Sequence, residues 1–292
     1  MRKKLILGSC AFILSLSSWL AYAQVNKDKH AHHSCAVESA LFARKVSAPT
    51  IKMTMIKNED QSFNQKSGYE KYSKKLVQIQ LTNLKTGKPI NPDDLKVTHT
   101  EKVHLLIIDD GLEDYSHIHP KPLNNSGLYE FEWRPQTQGN YRIWADLLPV
   151  ESNTQEYVIT DLVSGQPPAK INRAVTRESN VEGYTAQLSF DSENLEVGKA
   201  IMGKVSFMEY AKPLTALEPI MGSYAHIVGF SQDLKTIVHI HPMGEEPSKP
   251  TDRGGPELQF HLEPAAPGFI KLFAQVKHNG RELFFPFGIE IK

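Results

Sequence analysis

The sequence predicts an all-β protein built as two tandem β-sandwich domains, and three observations predict it. Short runs rich in β-branched and aromatic residues, spaced by Gly, Pro, Asn and Asp, recur along the 292 residues. The tetrapeptide HIHP occurs twice, at 117–120 and 239–242, inside longer stretches that match one another. The N-terminus carries Arg2, Lys3 and Lys4, a mostly apolar run from Leu5 to Leu20, and small residues at Ala21 and Ala23. That last layout is a secretory signal peptide, too short and too clearly closed for a membrane span.

Taken in order, residues 1–23 are expected to be the signal peptide, with no stable membrane anchor after its cleavage and a periplasmic or secreted destination. Residues 24–48 form a His-rich tail, with HAHHSC at its start. The first repeat, 49–163, contains the strand-like runs TIKMTMIK, LVQIQLT, VHLLIID, YSHIHP, LYEFEW, NYRIWADLL and EYVIT. Polar, proline-containing 164–179 is the expected linker. The second repeat, 180–292, contains YTAQLSF, AIMGKVSF, AHIVGF, TIVHIHP, ELQFHLE, FIKLFAQV and LFFPFGIEI. About seven strands in roughly 115 residues is the strand density of a sandwich. The GNY at 139–141 suggests either a tyrosine-corner-like start to a late strand or a plain turn.

The duplication is read from the chain itself. His104, His117 and His119 in the first repeat correspond to His226, His239 and His241 in the second, with separations of 13 and 15 residues in both. Downstream, Phe131 pairs with Phe260, Pro135 with Pro264, Gly139 with Gly268 and Trp144 with Phe273.

Composition narrows the function. The chain has 33 basic and 33 acidic residues. Loss of the three basic residues of the signal leaves 30 against 33, a net charge of about −3 with no basic stripe, which argues against nucleic acid as a partner. Of the two cysteines, Cys10 leaves with the signal, so Cys35 has no intramolecular partner and the fold rests on its core.

The histidines carry the chemistry. In a strand, His117 and His119 project from one face about 6 to 7 Å apart, which suits two ligands on one metal. VHLLIID must turn through DGLED to reach them, making a hairpin. An even-numbered loop places His104 on the same face, directly opposite one of the pair, whereas an odd loop or a bulge sends it away. Asp110 and Asp233 read as turn residues making Asx-type bonds, and His261 and His278 as ordinary strand or surface positions.

Three neutral imidazoles suit copper, zinc or nickel; intrinsic affinities favour copper, with zinc as the alternative. Met221 and Met243 flank the second cluster and would suit Cu(I). Met221 and its counterpart His99 lie five residues before His226 and His104, so each needs a bend to join them. His30, His32, His33 and Cys35 form a separate metal-collecting tract. The competing reading makes the histidines core-edge residues bonded to backbone, since His104 shares its face with Leu106 and Ile108, and His226 with Val228 and Phe230.

The segments HLLIIDDGLEDYSHIHP and MGSYAHIVGFSQDLKTIVHIHP resemble those of secreted bacterial β-sandwich proteins with repeated H…D-L…HxHP segments, described as uncharacterised or as copper- or heavy-metal-associated. The resemblance implies an immunoglobulin-like or cupredoxin-like sandwich and a periplasmic metal role. No cysteine lies in either repeat, so a blue-copper thiolate site is not expected. The expected function is non-enzymatic copper sequestration or delivery through a His triad in each repeat, with the metal ion as partner. The alternatives are an envelope adhesion or scaffold module that binds another envelope protein, and a metal-dependent oxidase or hydrolase.

Overall fold

Alternation sets the inner faces of the sheets. In Lys75–Asn83, Val77, Ile79 and Leu81 are buried while the intervening Gln78 and Gln80 are only partly covered, the period of two expected of a strand with one face on a core. The structure is a computed structural model that describes residues 49–60, 73–240 and 242–292, and only the backbone of His239. The expected signal peptide, the tail with His30, His32, His33 and Cys35, and His241 lie outside the described residues. All the described residues belong to one compact unit, Ala36–Lys292.

The first sandwich comprises β1 (Ile51–Asp60), β2 (Lys75–Asn83), β3 (Val103–Asp109), β4 (Tyr115–Ile118), β5 (Lys121–Leu123), β6 (Leu128–Trp133), β7 (Tyr141–Leu147) and β8 (Glu156–Leu162). Its two antiparallel sheets run β1-β2-β6-β5 and β4-β3-β7-β8. In chain order this is the A-B-E-D against C-F-G arrangement of an immunoglobulin sandwich, with β4 added beside C. The second sandwich comprises β9 (Glu178–Val181), β10 (Tyr184–Phe190), β11 (Ile201–Glu209), β12 (Lys212–Pro213), β13 (His226–Ser231), β14 (Ile237–Ile240), β15 (Glu257–Leu262), β16 (Gly268–His278) and β17 (Arg281–Ile291). Its sheets are β12-β11-β10-β9, with β15 also on β11, and β14-β13-β16-β17. The order β4-β3-β7-β8 thus recurs as β14-β13-β16-β17, while the other sheet of the second sandwich has five strands, with β9 added at its edge and β12 paired with β11.

Three short strands escape the sequence pattern. β5 and β12 have three and two residues, too few to show a period, and β9 starts at Glu178 inside the expected linker. The single helical segment among the described residues is the 3-10 turn Pro92–Asp94, and no helix there is long and apolar enough to cross a membrane.

Each sandwich has its own core, around Val77, Ile79, Phe131, Trp133 and Ile143 in the first and Val205, Phe207, Phe260, Phe285 and Phe287 in the second. Tyr141 forms the tyrosine corner: it opens β7, and its hydroxyl accepts from the Thr137 backbone N–H at 3.1 Å and donates to Asp114 at 2.6 Å. Burial, reinforced by the Asp114 carboxylate, raises its pKa. The buried Glu156 carboxylate fixes the start of β1, accepting from Thr50 N–H at 2.7 Å, Thr50 Oγ1 at 2.6 Å and Ile51 N–H at 3.2 Å.

A third cluster joins the sandwiches. β3 is buried along its whole length: Val103, Leu105 and Ile107 enter the first core, while Leu106 and Ile108 face outward against the second sandwich. The cluster takes matching positions from both repeats, Leu106 with Val228, Ile108 with Phe230 and Trp144 with Phe273, as an interface between two copies of one subunit does. Tyr115 stacks within it, its ring centroid 5.4 Å from Phe230 and 5.0 Å from Phe273. Its hydroxyl has no protein hydrogen-bond partner among the described residues, and a buried hydroxyl without a partner costs stability. Tyr115→Phe, which leaves the ring in place, is expected to melt at or above the wild-type temperature; a clear fall in the calorimetric midpoint would show that the hydroxyl is used.

Candidate metal centre

The hairpin turn decides where the histidines point. Asp109 N–H bonds to Asp114 O at 3.2 Å, leaving a loop of four residues, Asp110 to Glu113. The Asp109 carboxylate stiffens this loop by accepting from Glu113 N–H at 2.7 Å and Asp114 N–H at 2.9 Å. Burial, ahead of its neighbouring charges, pushes the Asp109 carboxyl up. The expected turn role of Asp110 thus belongs to Asp109. Asp110 instead accepts from the Asn140 side chain at 2.8 Å and ties the hairpin to the next loop. Asp233 does make the expected bond two residues on, to Lys235 N–H at 3.1 Å.

The even loop sets the register: Leu105 faces Ile118 and Leu106 faces His117. One step further His104 comes opposite His119, and all three imidazoles share a face. Ring centroids lie 5.4 Å apart for His104 and His117, 4.7 Å for His104 and His119, and 5.3 Å for His117 and His119. One ligand nitrogen from each lies within 4.8 Å of the others, with His104 buried and the other two half-buried, so the three can hold a metal ion.

Hydrogen bonding fixes which nitrogens face inward. His104 Nε2 lies 2.8 Å from the Thr98 carbonyl. A carbonyl only accepts, so Nε2 carries the proton and Nδ1 presents its lone pair. His117 Nδ1 lies 3.1 Å from Gln275 Oε1. The amide of Gln275 is oriented by Glu282, whose carboxylate accepts from Nε2 at 2.9 Å. His117 therefore carries its proton on Nδ1 and presents Nε2. His104 Nδ1 and His117 Nε2 face one another at 3.1 Å, and His119 Nε2 is also 3.1 Å from His104 Nδ1. Nitrogens on a tetrahedral ion with bonds of about 2.0 to 2.1 Å stand about 3.3 Å apart. Ligand imidazoles whose outer N–H meets a carbonyl oxygen are a recurrent feature of metal sites.

The second repeat repeats the scaffold. Ser231 N–H bonds to Thr236 O across a four-residue loop. Val228 faces His239 as Leu106 faces His117. Buried His226 places Nε2 3.1 Å from the Ile220 carbonyl, as His104 does with Thr98. The His239 side chain and His241 are outside the described residues.

His99 and Met221 obtain the bend that the sequence spacing required. Thr98 and Glu101, and likewise Ile220 and Ser223, close two-residue turns. Both central residues have positive φ, 47° and 75° at His99 and Thr100, 49° and 79° at Met221 and Gly222, the signature of a type I′ turn. The His99 ring consequently lies 6.2 Å from His104 and 6.3 Å from His226. Met243 is placed differently: it is 46% exposed, and its backbone bridges Gln259 in β15, on the other sheet. His278 is buried against Tyr184, its Nδ1 3.0 Å from the hydroxyl, and His261 lies in β15. Sequence reasoning did not find Gln275 and Glu282. The available signal was a lone amide in the apolar run FIKLFAQV.

A family model described as Domain of unknown function (DUF8832) matches residues 62–160 and 179–292. No curated protein matches. Among solved structures, trypsin-activated alpha-2-macroglobulin from Escherichia coli is 13% identical, with 83% of this chain and 15% of that chain covered and a TM-score of 0.23. The D0-D1 domain of intimin is 12% identical, with 74% and 89% covered, at 0.23. A putative membrane anchored protein from Corynebacterium diphtheriae is 12% identical, with 84% and 59% covered, also at 0.23. These likenesses are too distant to carry an argument about function.

Proposed function

Starting from a chain that belongs to the family described as Domain of unknown function (DUF8832), we propose an exported, non-enzymatic protein that binds copper through His104, His117 and His119, for sequestration or delivery. One observation carries this reading. Two imidazole lone pairs, each fixed by an acceptor on the far side of its ring, meet at 3.1 Å in a half-buried site. A cation between the two rings would take both nitrogens as ligands. Copper is favoured over zinc by the order of intrinsic affinities for nitrogen sites. The register of β13 and β14 supports a second triad of His226, His239 and His241. The signal-like N-terminus supports a periplasmic or secreted location.

The test is titration of residues 24–292 with Cu(I), Cu(II) and Zn(II). Uptake tighter than about 10 μM with copper preferred is expected. No uptake in that range would refute metal binding and favour a scaffold with structural histidines. Zinc outcompeting copper would overturn the metal assignment alone.

A further inference from the structure

The bond from His117 to Gln275 crosses from one sandwich to the other. Gln275 lies in β16 opposite His226, and it is fully buried. His226, from the second repeat, stands 5.5 Å from His117 and 6.3 Å from His99 by ring centroids. Imidazoles of both repeats therefore lie side by side at the interface.

The matching slot in the first repeat is also polar. Asp146 faces His104 across β3 and β7 and is buried, accepting from Gln155 Nε2 at 2.7 Å. One repeat thus uses a carboxylate held by an amide, and the other an amide held by a carboxylate, Glu282. A fully buried amide such as that of Gln275, beside a largely apolar interface, is costly unless its hydrogen bonds are made. Here Gln275 spends one of those bonds on a triad histidine.

We propose that the second sandwich completes the first repeat's metal centre: Gln275, oriented by Glu282, is a positioning residue that fixes the tautomer and ring angle of His117, so that metal binding there couples the two sandwiches. This rests on the metal-binding reading of the triad. The first repeat is then not a self-sufficient site, although it carries its own three histidines.

The test uses the full chain, Cu(II) alone and three proteins. Gln275→Leu, which removes the acceptor, is expected to weaken Cu(II) binding about 10- to 100-fold. It is also expected to change the pulsed-EPR modulation from the remote nitrogen of a bound imidazole, because the Nδ1 proton has lost its acceptor. The swap Gln275→Glu with Glu282→Gln rebuilds the first repeat's arrangement and is expected to bind within about threefold of wild type. Wild-type affinity and an unchanged modulation in Gln275→Leu would overturn the proposal while leaving the triad intact. If Gln275→Leu does not fold, the swap decides: weak binding by a folded swap variant overturns the proposal. A wild-type chain that takes up no copper removes the metal reading itself.

Discussion

Replacing His117 and His119 together by alanine is expected to lower copper affinity at the first repeat by more than about 100-fold, since two of three ligands go while outer hydrogen bonds alone are worth 10- to 100-fold. Isothermal titration reads this directly. The metal-free protein should also lose stability, because removal of the His117 ring leaves the buried Gln275 Oε1 without the donor it has in the wild type. Copper at 100 times its Kd should stabilise the wild type by about 2.7 kcal/mol and the variant far less, and a chelator should reverse the gain. Normal uptake by the variant would remove these two residues from the site. A large loss of apo stability without a change in uptake would make them structural.

Gly203→Val is expected to destabilise the second sandwich by about 3 kcal/mol or more, with the melting midpoint falling accordingly. The substitution looks harmless from the duplication, because the first repeat has Val77 where the second has Gly203, each facing a phenylalanine across the sheet, Phe131 and Phe260. The packing differs. A Cβ at Gly203 would stand 2.2 Å from the tip of the Phe260 ring, which has folded over the glycine and is fully buried. Phe190 packs edge-on against that ring at 6.0 Å, and Phe260 belongs to the second core, so it cannot swing out without opening a cavity. Wild-type stability in this variant would show that the core can repack around the extra methyls.

Much of this was legible in the sequence, because strands write a period of two and a duplication writes itself twice. Runs such as LYEFEW and YTAQLSF matched their strands end to end, as β6 and β10. Even the hairpin could be framed in advance as a question of loop parity, since a one-residue change sends every side chain to the other face. The register itself was not legible. It is set by Asp109 closing a four-residue loop, a choice among turn geometries that DGLED does not spell out. The same holds for His99, which needed a type I′ turn to come within ring distance of His104.

The sequence by itself determined the class of fold, the two repeats and the set of histidines worth considering, because periodicity, punctuation and internal repetition are local properties of a chain. Only the tertiary structure decided that the histidine-bearing sheets of the two repeats face each other, and that Gln275 reaches His117 across a sequence separation of 158. The reason is physical: β3 and its counterparts are apolar on both faces, so each sheet must cover a second apolar surface, and the partner it meets is fixed by packing between distant parts of the chain, which no local pattern records.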